Sequence, residues 1–360
     1  MNMNWPRRRK ASATRRGVSR IAVLVVLAIV VVLGTVVAGG ILSARQASRR
    51  LQCLCRIRSI GLAVHNYASG GSGVLPPLTG PIGISEDDAH PADGHLTTGW
   101  PVILLPAVDD IAAWRSIKAN AVLASAADSA AIYDVSDRDK ITLPRMVCPD
   151  DPRPTGLSYV MNTGFIDANL YAGDPARQHV PGSLSWNGNL VLHEATDEII
   201  HRSTGVMWHS KARHAVTLDE ISTGDGITTT LLLTENLQAG SWFDTDTTKI
   251  AFGFPVANTT GQVPFGTGST FESAQKSLNA EFAGGTLLTV SPHPWRINQD
   301  RSAKPGTRPR PSSNHPPGVS AMMCDGSGRV LNQNIDPNVY LKLMTSNGAA
   351  YGEGEVQSDF

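Results

Sequence analysis

The sequence predicts an α+β protein in which one long N-terminal helix packs on an antiparallel β-sheet carrying long loop insertions. Three observations predict it. An uncharged run at 21–42 leads directly into an apolar stripe at helical spacing, and short apolar runs bounded by turn residues recur through the rest of the chain. Gly (34) and Pro (23) together make nearly 16% of the 360 residues, which favours strands, turns and long loops over a helix bundle.

The N-terminus comes first. The formal net charge of zero conceals an asymmetry: the first 20 residues hold seven bases and no acid, so the other 340 carry 24 bases against 31 acids, a net of −7. The 22 uncharged residues that follow would form about 33 Å of helix at 1.5 Å per residue, the thickness of a bilayer's hydrocarbon core. Bases on its N-terminal side orient such a span with the N-terminus in the cytoplasm and the bulk of the chain outside. The run exceeds the 7–15 apolar residues of a removable signal, although Val36-Val37-Ala38 has the small residues of a cleavage site and Arg15-Arg16 weakly matches a twin-arginine signal. The expected location is therefore the cytoplasmic membrane, single-pass, with the lipid bilayer contacted through 21–42. The basic run Arg7 to Lys10 reads as a topology signal, and no nucleic-acid partner is expected.

Beyond the bilayer, Cys53, Ile57, Ile60, Val64 and Tyr67 recur at steps of four and three, one stripe of a helix expected to run from Arg20 to Tyr67 and to stop before Ser69-Gly70-Gly71-Ser72-Gly73. Pro101 to Pro106 is a short apolar run, and Asp109 to Ala127 reads as a helix. Strands are expected at Ser158–Met161, Gly205–Trp208, Thr228–Leu233 and Val319–Cys324, the last paired with Arg329–Leu331. Ala239–Gly285 and Pro292–Pro317 read as long loops. The resulting organisation is a basic cytoplasmic leader (1–20), a transmembrane helix (21–42), a helix continuing onto the soluble domain (43–68), an extracytoplasmic β-rich domain (69–348) and a C-terminal tail (349–360).

Several short motifs then line up in one order: Ala44 to Arg50 with Gln52-Cys53, Ile60-Gly61-Leu62-Ala63, His65-Asn66-Tyr67, Gly99-Trp100, Cys148-Pro149-Asp150 and Asn162-Thr163-Gly164. Gly205-Val206, the stretch Asp219 to Glu235, and His315 followed after nine residues by Asp325-Gly326 complete the series. In that order they resemble the bacterial pseudopilin-like proteins grouped as domain of unknown function 1559, with a prepilin-type N-terminus and a C-terminal His-x9-Asp-Gly motif. The resemblance implies a type IV pilin-like fold, leader cleavage between Gly17 and Val18, and envelope or secretion-system proteins as partners. It also implies a disulfide between Cys53, on the helix stripe, and Cys148, in a Cys-Pro-Asp turn that the family places near that helix. The chain departs from the family's leader at Ala22, where the family has the glutamate that pairs subunits in a filament, and Arg20 stands in an otherwise apolar place. Retention as a plain anchor follows from that departure.

Cys55 lies about 200° around the helix from Cys53 and cannot share its face, so it is expected to be free or paired elsewhere, and Cys324 reads as a small buried hydrophobe. Asp325-Gly326-Ser327-Gly328 reads as a hairpin turn rather than half of a catalytic pair with His315, which is expected to brace the loop entering the strand. His193, Asp197 and His201 fall at zinc-compatible steps of four but lack a zincin motif and read as a solvated polar helix or loop. Asp219, Glu220 and Asp225 lack the alternating spacing of a calcium loop. No nucleophile elbow, phosphate loop or dinucleotide fingerprint is present in the sequence. No catalytic residue, metal ligand or cofactor is therefore assigned.

The leading expectation is a non-enzymatic, membrane-anchored, pseudopilin-like envelope protein. One alternative is a processed pseudopilin subunit of a type II secretion or type IV pilus-like machine. Another is an exported carbohydrate-binding or hydrolytic domain using loops near Trp186, Trp242 and Trp295, which would require those rings to cluster at an open cleft.

Overall fold

The computed structural model describes residues 19–83, 95–123, 133–135, 138–151, 153, 156–167, 169–170, 179–186, 189, 191–210, 215–257, 296–315 and 317–351. The chain divides into two compact units, Met1–Ser48 and Arg49–Phe360. Helix α1 (Arg20–Gly70) begins in the first unit and ends in the second. In the first unit its large apolar side chains from Ile21 to Ile41 are 47–72% exposed. Among the described residues no helix is long and apolar enough to cross a membrane. The side chains at 22, 36, 38, 39 and 42 lie outside the described residues, as do Gly17 and Val18.

In the second unit α1 buries Cys53, Ile57, Ile60, Ala63, Val64 and Ala68. The stripe is the expected one except at its end, where Tyr67 is exposed and Ala68, one step further round, takes its place. At roughly 1.5–3 kcal/mol for each large side chain, this burial, rather than helix propensity, holds the outer half of α1 in place. The helix runs three residues beyond the expected Tyr67 because the backbone turns only at Ser72 (φ 57°) and Gly73 (φ 82°), where the Gly73 N–H donates back to the Ala68 carbonyl at 2.8 Å.

Two small hairpins follow α1, β1 (Thr79–Gly83) with β2 (His95–Gly99) and β3 (Ala121–Leu123) with β4 (Tyr133–Val135). The expected helix at Asp109–Ala127 is shorter, Ile111–Ala119. Asp110 caps it by accepting from the Ala113 N–H, Asn120 ends it, and Ala121-Val122-Leu123 leaves as β3.

The main sheet has the order β7-β5-β6-β8-β9, built from β5 (Tyr159–Asp167), β6 (Leu231–Glu235), β7 (Ala251–Ala257), β8 (Gly318–Met323) and β9 (Gly328–Asn332). Every residue of β5, β6 and β8 is buried, as strands covered on both faces require. The sheet is not purely antiparallel, since β7 pairs parallel to β5. The expected loop Ala239–Gly285 supplies β7 through the short helix Thr247–Ile250; residues 258–295 lie outside the described residues. Gly205–Trp208 is buried but joins no strand ladder; its Val206 and Met207 N–H groups both donate to the Asn162 carbonyl.

Helices cover both faces of this sheet. On one side α1 approaches β8 so closely that a Cβ at Gly61 would lie 1.7 Å from Met322 Sδ, which explains a glycine at mid-helix. The opposite side carries the helix Pro337–Met344, whose Tyr340 ring lies 5.7 Å from Phe254. Asn162 joins β5 to this layer: its Nδ2 donates to the carbonyls of Leu231 and Met344, both at 2.7 Å, and its Oδ1 accepts from the Gly164 N–H at 2.8 Å. Gly164 (φ 75°) and Gly205 pass so close that a Cβ at Gly205 would sit 2.5 Å from the Gly164 nitrogen, giving the Asn162-Thr163-Gly164 and Gly205-Val206 motifs one shared packing reason.

Candidate functional site

The alternation of β5 and β6 builds the site. Tyr159 pairs with Glu235 across the two strands, so both side chains face α1, and the Tyr159 hydroxyl donates to the Cys53 carbonyl at 3.4 Å. Burial, and then the Glu235 carboxylate, raise the Tyr159 pKa well above that of an ordinary phenol, keeping it a neutral donor. Cys53 on α1 is joined to Cys148 by a disulfide, with Cα atoms 5.2 Å apart and 95 residues of separation. Cys148 opens a tight turn closed by the Asp151 N–H donating to its carbonyl at 2.9 Å, and this turn presents Asp150.

His315 enters from the loop before β8. The Ser313 hydroxyl accepts from the His315 N–H at 3.1 Å and donates to the Gly318 carbonyl at 2.7 Å, fixing the backbone. The ring is 4% exposed. Its Nε2 lies 3.2 Å from both Cys53 Sγ and Cys148 Sγ, and its Nδ1 lies 3.1 Å from Asp150 Oδ2. Arg49 holds the other Asp150 oxygen at 2.9 Å. The Glu235 carboxylate completes the group. Its Oε2 accepts from the Ser320 N–H at 2.8 Å, whereas its Oε1, 3.4 Å from His315 Nε2, has no hydrogen bond. The Glu235 Oε1 and His315 Nε2 atoms are thus in contact with no hydrogen bond between them. The four ligand atoms of Cys53, Cys148, Glu235 and His315 lie within 4.8 Å of one another, the one such grouping of three or more metal-ligating side chains among the described residues.

His315 thus braces its loop as expected, but against the disulfide, a meeting that the sequence reading missed. Asp325 and Gly326 are elsewhere, in the β8–β9 turn, where Asp325 Oδ1 accepts from the Ser327 N–H at 2.7 Å and Gly326 has φ 84°. The six residues of β8 alone separate the two motif halves by about 20 Å. Asp150 and Glu235 carry signals in the sequence after all, since each closes a motif quoted above. Cys55 is exposed and free, and Cys324 is buried with its thiol pKa pushed up by burial.

The stretch His193, Asp197, His201 is not a solvated helix. Asp197 and His201 are buried on the helix Ala195–Arg202, while His193 precedes it in a left-handed conformation (φ 65°). They serve separate partners: Asp197 Oδ1 accepts from the Trp186 N–H, and His201 Nε2 donates to the Phe165 carbonyl at 3.0 Å beside the Trp208 ring. Burial lowers the His201 pKa to about 3. Two of the three carboxylates near Gly224 are also committed to structure. Glu220 forms a capping box with Thr217, and Asp225 accepts from the Gly348 and Ala349 N–H groups. The Asp219 main chain, through its carbonyl, accepts from Thr223.

An open cleft of about 430 Å³ is lined by Arg138, Arg153, Trp242, Asp244, Lys249 and others. Its cations are engaged: Arg153 binds Asp151, and Lys249 binds Asp244 and Asp246, each at 2.7–2.8 Å. Trp242 is at this cleft with its ring against Phe243, and Trp186 is buried against Phe165, while Trp295 lies outside the described residues.

The family described as protein of unknown function (DUF1559) matches residues 42–338. The chain belongs to that family. The DUF1559 match takes in the whole cluster, from Cys53 to His315, as well as the turn at Asp325-Gly326. No curated protein and no solved structure matches the chain.

Proposed function

We propose that this DUF1559 protein is a non-enzymatic, membrane-anchored, pilin-like envelope protein, with residues 21–42 in the cytoplasmic membrane, the N-terminus cytoplasmic and the β-rich domain outside, where it meets envelope or secretion-system proteins. The observation that carries the reading is the helix itself. The described large apolar side chains of α1 from Ile21 to Ile41 are exposed all round the helix, and further along α1 carries a buried stripe. Moving those side chains from water into hydrocarbon is favourable by on the order of 20 kcal/mol. The 22-residue run holds no charge, and seven bases precede it. Disulfide bonding of Cys53 to Cys148 suits an oxidising, extracytoplasmic location. The carbohydrate-binding or hydrolytic alternative is weakened by the paired cations of the cleft and by Trp186 and Trp242 each packing on its own Phe partner.

Mass spectrometry of the mature N-terminus from fractionated cells tests the proposal. A start near Met1 in the membrane fraction is expected. A start at Val18 would replace the anchor with a processed pseudopilin, and a start beyond Ala38 in the soluble fraction would overturn membrane retention.

A further inference from the structure

The Cys53, Cys148, His315 and Glu235 cluster has an electronic imbalance. Asp150 at Nδ1 selects the imidazole tautomer with its proton there, so Nε2 points a lone pair at two sulfurs and at Glu235 Oε1, a buried carboxylate oxygen without a hydrogen bond. Reduction of the disulfide would turn the two sulfurs into potential thiolates, and four electron-rich atoms in one buried pocket would then be stabilised by a cation at their centre. We propose that reduction of the Cys53–Cys148 disulfide converts this pocket into a tetrahedral zinc site with Cys53 Sγ, Cys148 Sγ, His315 Nε2 and Glu235 Oε1 as its four ligands.

The distances from His315 Nε2 to the other three ligand atoms are close to what zinc requires. Zinc–nitrogen and zinc–oxygen bonds of about 2.0–2.2 Å at the tetrahedral angle place the two ligand atoms about 3.4 Å apart. His315 Nε2 and Glu235 Oε1 already stand 3.4 Å apart. A nitrogen–sulfur edge is about 3.5 Å, against 3.2 Å from Nε2 to each sulfur in the disulfide form. The sulfurs, bonded to each other here, must part to an edge of about 3.8 Å, which moves them away from the ring in the required sense. The supporting groups are in place: Asp150 on His315 Nδ1 forms the carboxylate–histidine arrangement that orients a ligating imidazole, and the Ser320 N–H fixes Oε2 and leaves Oε1 for the metal.

The chemistry balances with a dithiol or phosphine as reductant. The disulfide takes up two electrons and two protons, the S–S bond breaks and two thiols form; Zn²⁺ then displaces both thiol protons to solvent as two Zn–S bonds form. Disulfide sulfurs do not offer the thiolates that zinc binds, so the disulfide and zinc states exclude each other.

The test uses the full chain in detergent with Cys55→Ser, which removes the exposed free thiol. Samples with and without phosphine reduction are equilibrated with zinc chloride, desalted and assayed for bound metal, and cobalt substitution is followed by absorbance. The reduced protein is expected to retain one zinc per chain and to show the thiolate-to-cobalt and tetrahedral cobalt bands. The disulfide form is expected to retain none. Asp150→Asn should weaken binding roughly 10–100-fold without removing a ligand, and Glu235→Gln or His315→Asn should weaken it at least as much. If reduction unfolds the chain, regain of structure on adding zinc supports the site, because metal binding then drives folding. A reduced chain that holds no zinc, folded or unfolded, overturns the proposal, as does undiminished zinc in Cys148→Ser.

Discussion

Asn162→Ala should be among the most damaging single substitutions outside the cluster. The side chain is fully buried and satisfies three backbone groups on three segments, the carbonyls of Leu231 and Met344 and the N–H of Gly164, at 2.7, 2.7 and 2.8 Å. Alanine leaves all three without that partner, and each orphaned buried group costs about 1–3 kcal/mol. Since some relaxation is available at the Gly164 bulge, about 3–6 kcal/mol is expected in total, a large share of the roughly 5–15 kcal/mol that holds a protein folded. At about 2–4 °C per kcal/mol for domains of 150–250 residues, and somewhat less for a larger one, the melting temperature should fall by on the order of 10 °C. Thermal and urea unfolding of the full chain, read by circular dichroism, measures it, with the exposed Asn334→Ala as a control within about 0.5 kcal/mol. A loss below 1 kcal/mol would refute the view that this residue ties β5 to β6 and to the C-terminal helix.

Three further expectations follow from the same contacts. In unreduced, folded protein only Cys55 should alkylate, with Cys324 following on denaturation and Cys53 and Cys148 only after reduction; the double substitution Cys53→Ala/Cys148→Ala should cost about 4–5 kcal/mol from release of the 95-residue separation, read by urea unfolding. Gly61→Ala should destabilise by about 1–3 kcal/mol through its clash with Met322, and in a double-mutant cycle Met322→Ala should recover at least 1 kcal/mol of that cost; strict additivity would remove the close approach as the reason for glycine there. Because the folded-state His201 pKa is held at about 3, below its unfolded value near 6.5, the unfolded chain binds the extra proton between these limits. Stability from this group is therefore complete above about pH 6.5 and falls by up to about 1.4 kcal/mol per pH unit on acidification. His201→Gln should flatten the dependence by about one proton, and identical slopes would refute the assignment.

The legible parts of the fold are those with strong local periodicity. The outer stripe of α1 could be read from steps of three and four, and the β8–β9 hairpin from an apolar run ending in Asp325-Gly326. β7 was not legible, because Ala251–Ala257 lies in a Thr-, Gly- and Phe-rich stretch and its parallel pairing with β5 is a long-range choice. The cluster was half legible. Cys53 and Cys148 came from the family resemblance, and His315 from a motif, but their convergence with Glu235 follows from strand order, which no spacing along the chain encodes. The helix carrying Asp197 and His201 misleads for a related reason: its polar side chains are buried by partners outside the helix, Trp186 and Phe165, 11 and 36 residues away in sequence.

The distribution of the cluster along the chain imposes an order on biogenesis. Cys53 emerges from the ribosome first, Cys148 next, Glu235 later and His315 last, so a nascent chain exposes its helix thiols long before the pocket that encloses them can close. During that interval Cys148 meets two neighbouring thiols, Cys53 and Cys55, and only docking of the α1 stripe on the sheet distinguishes them by turning Cys53 inward and leaving Cys55 to solvent. A chain released before residue 315 would have to make that selection without the imidazole that rests on the finished pair.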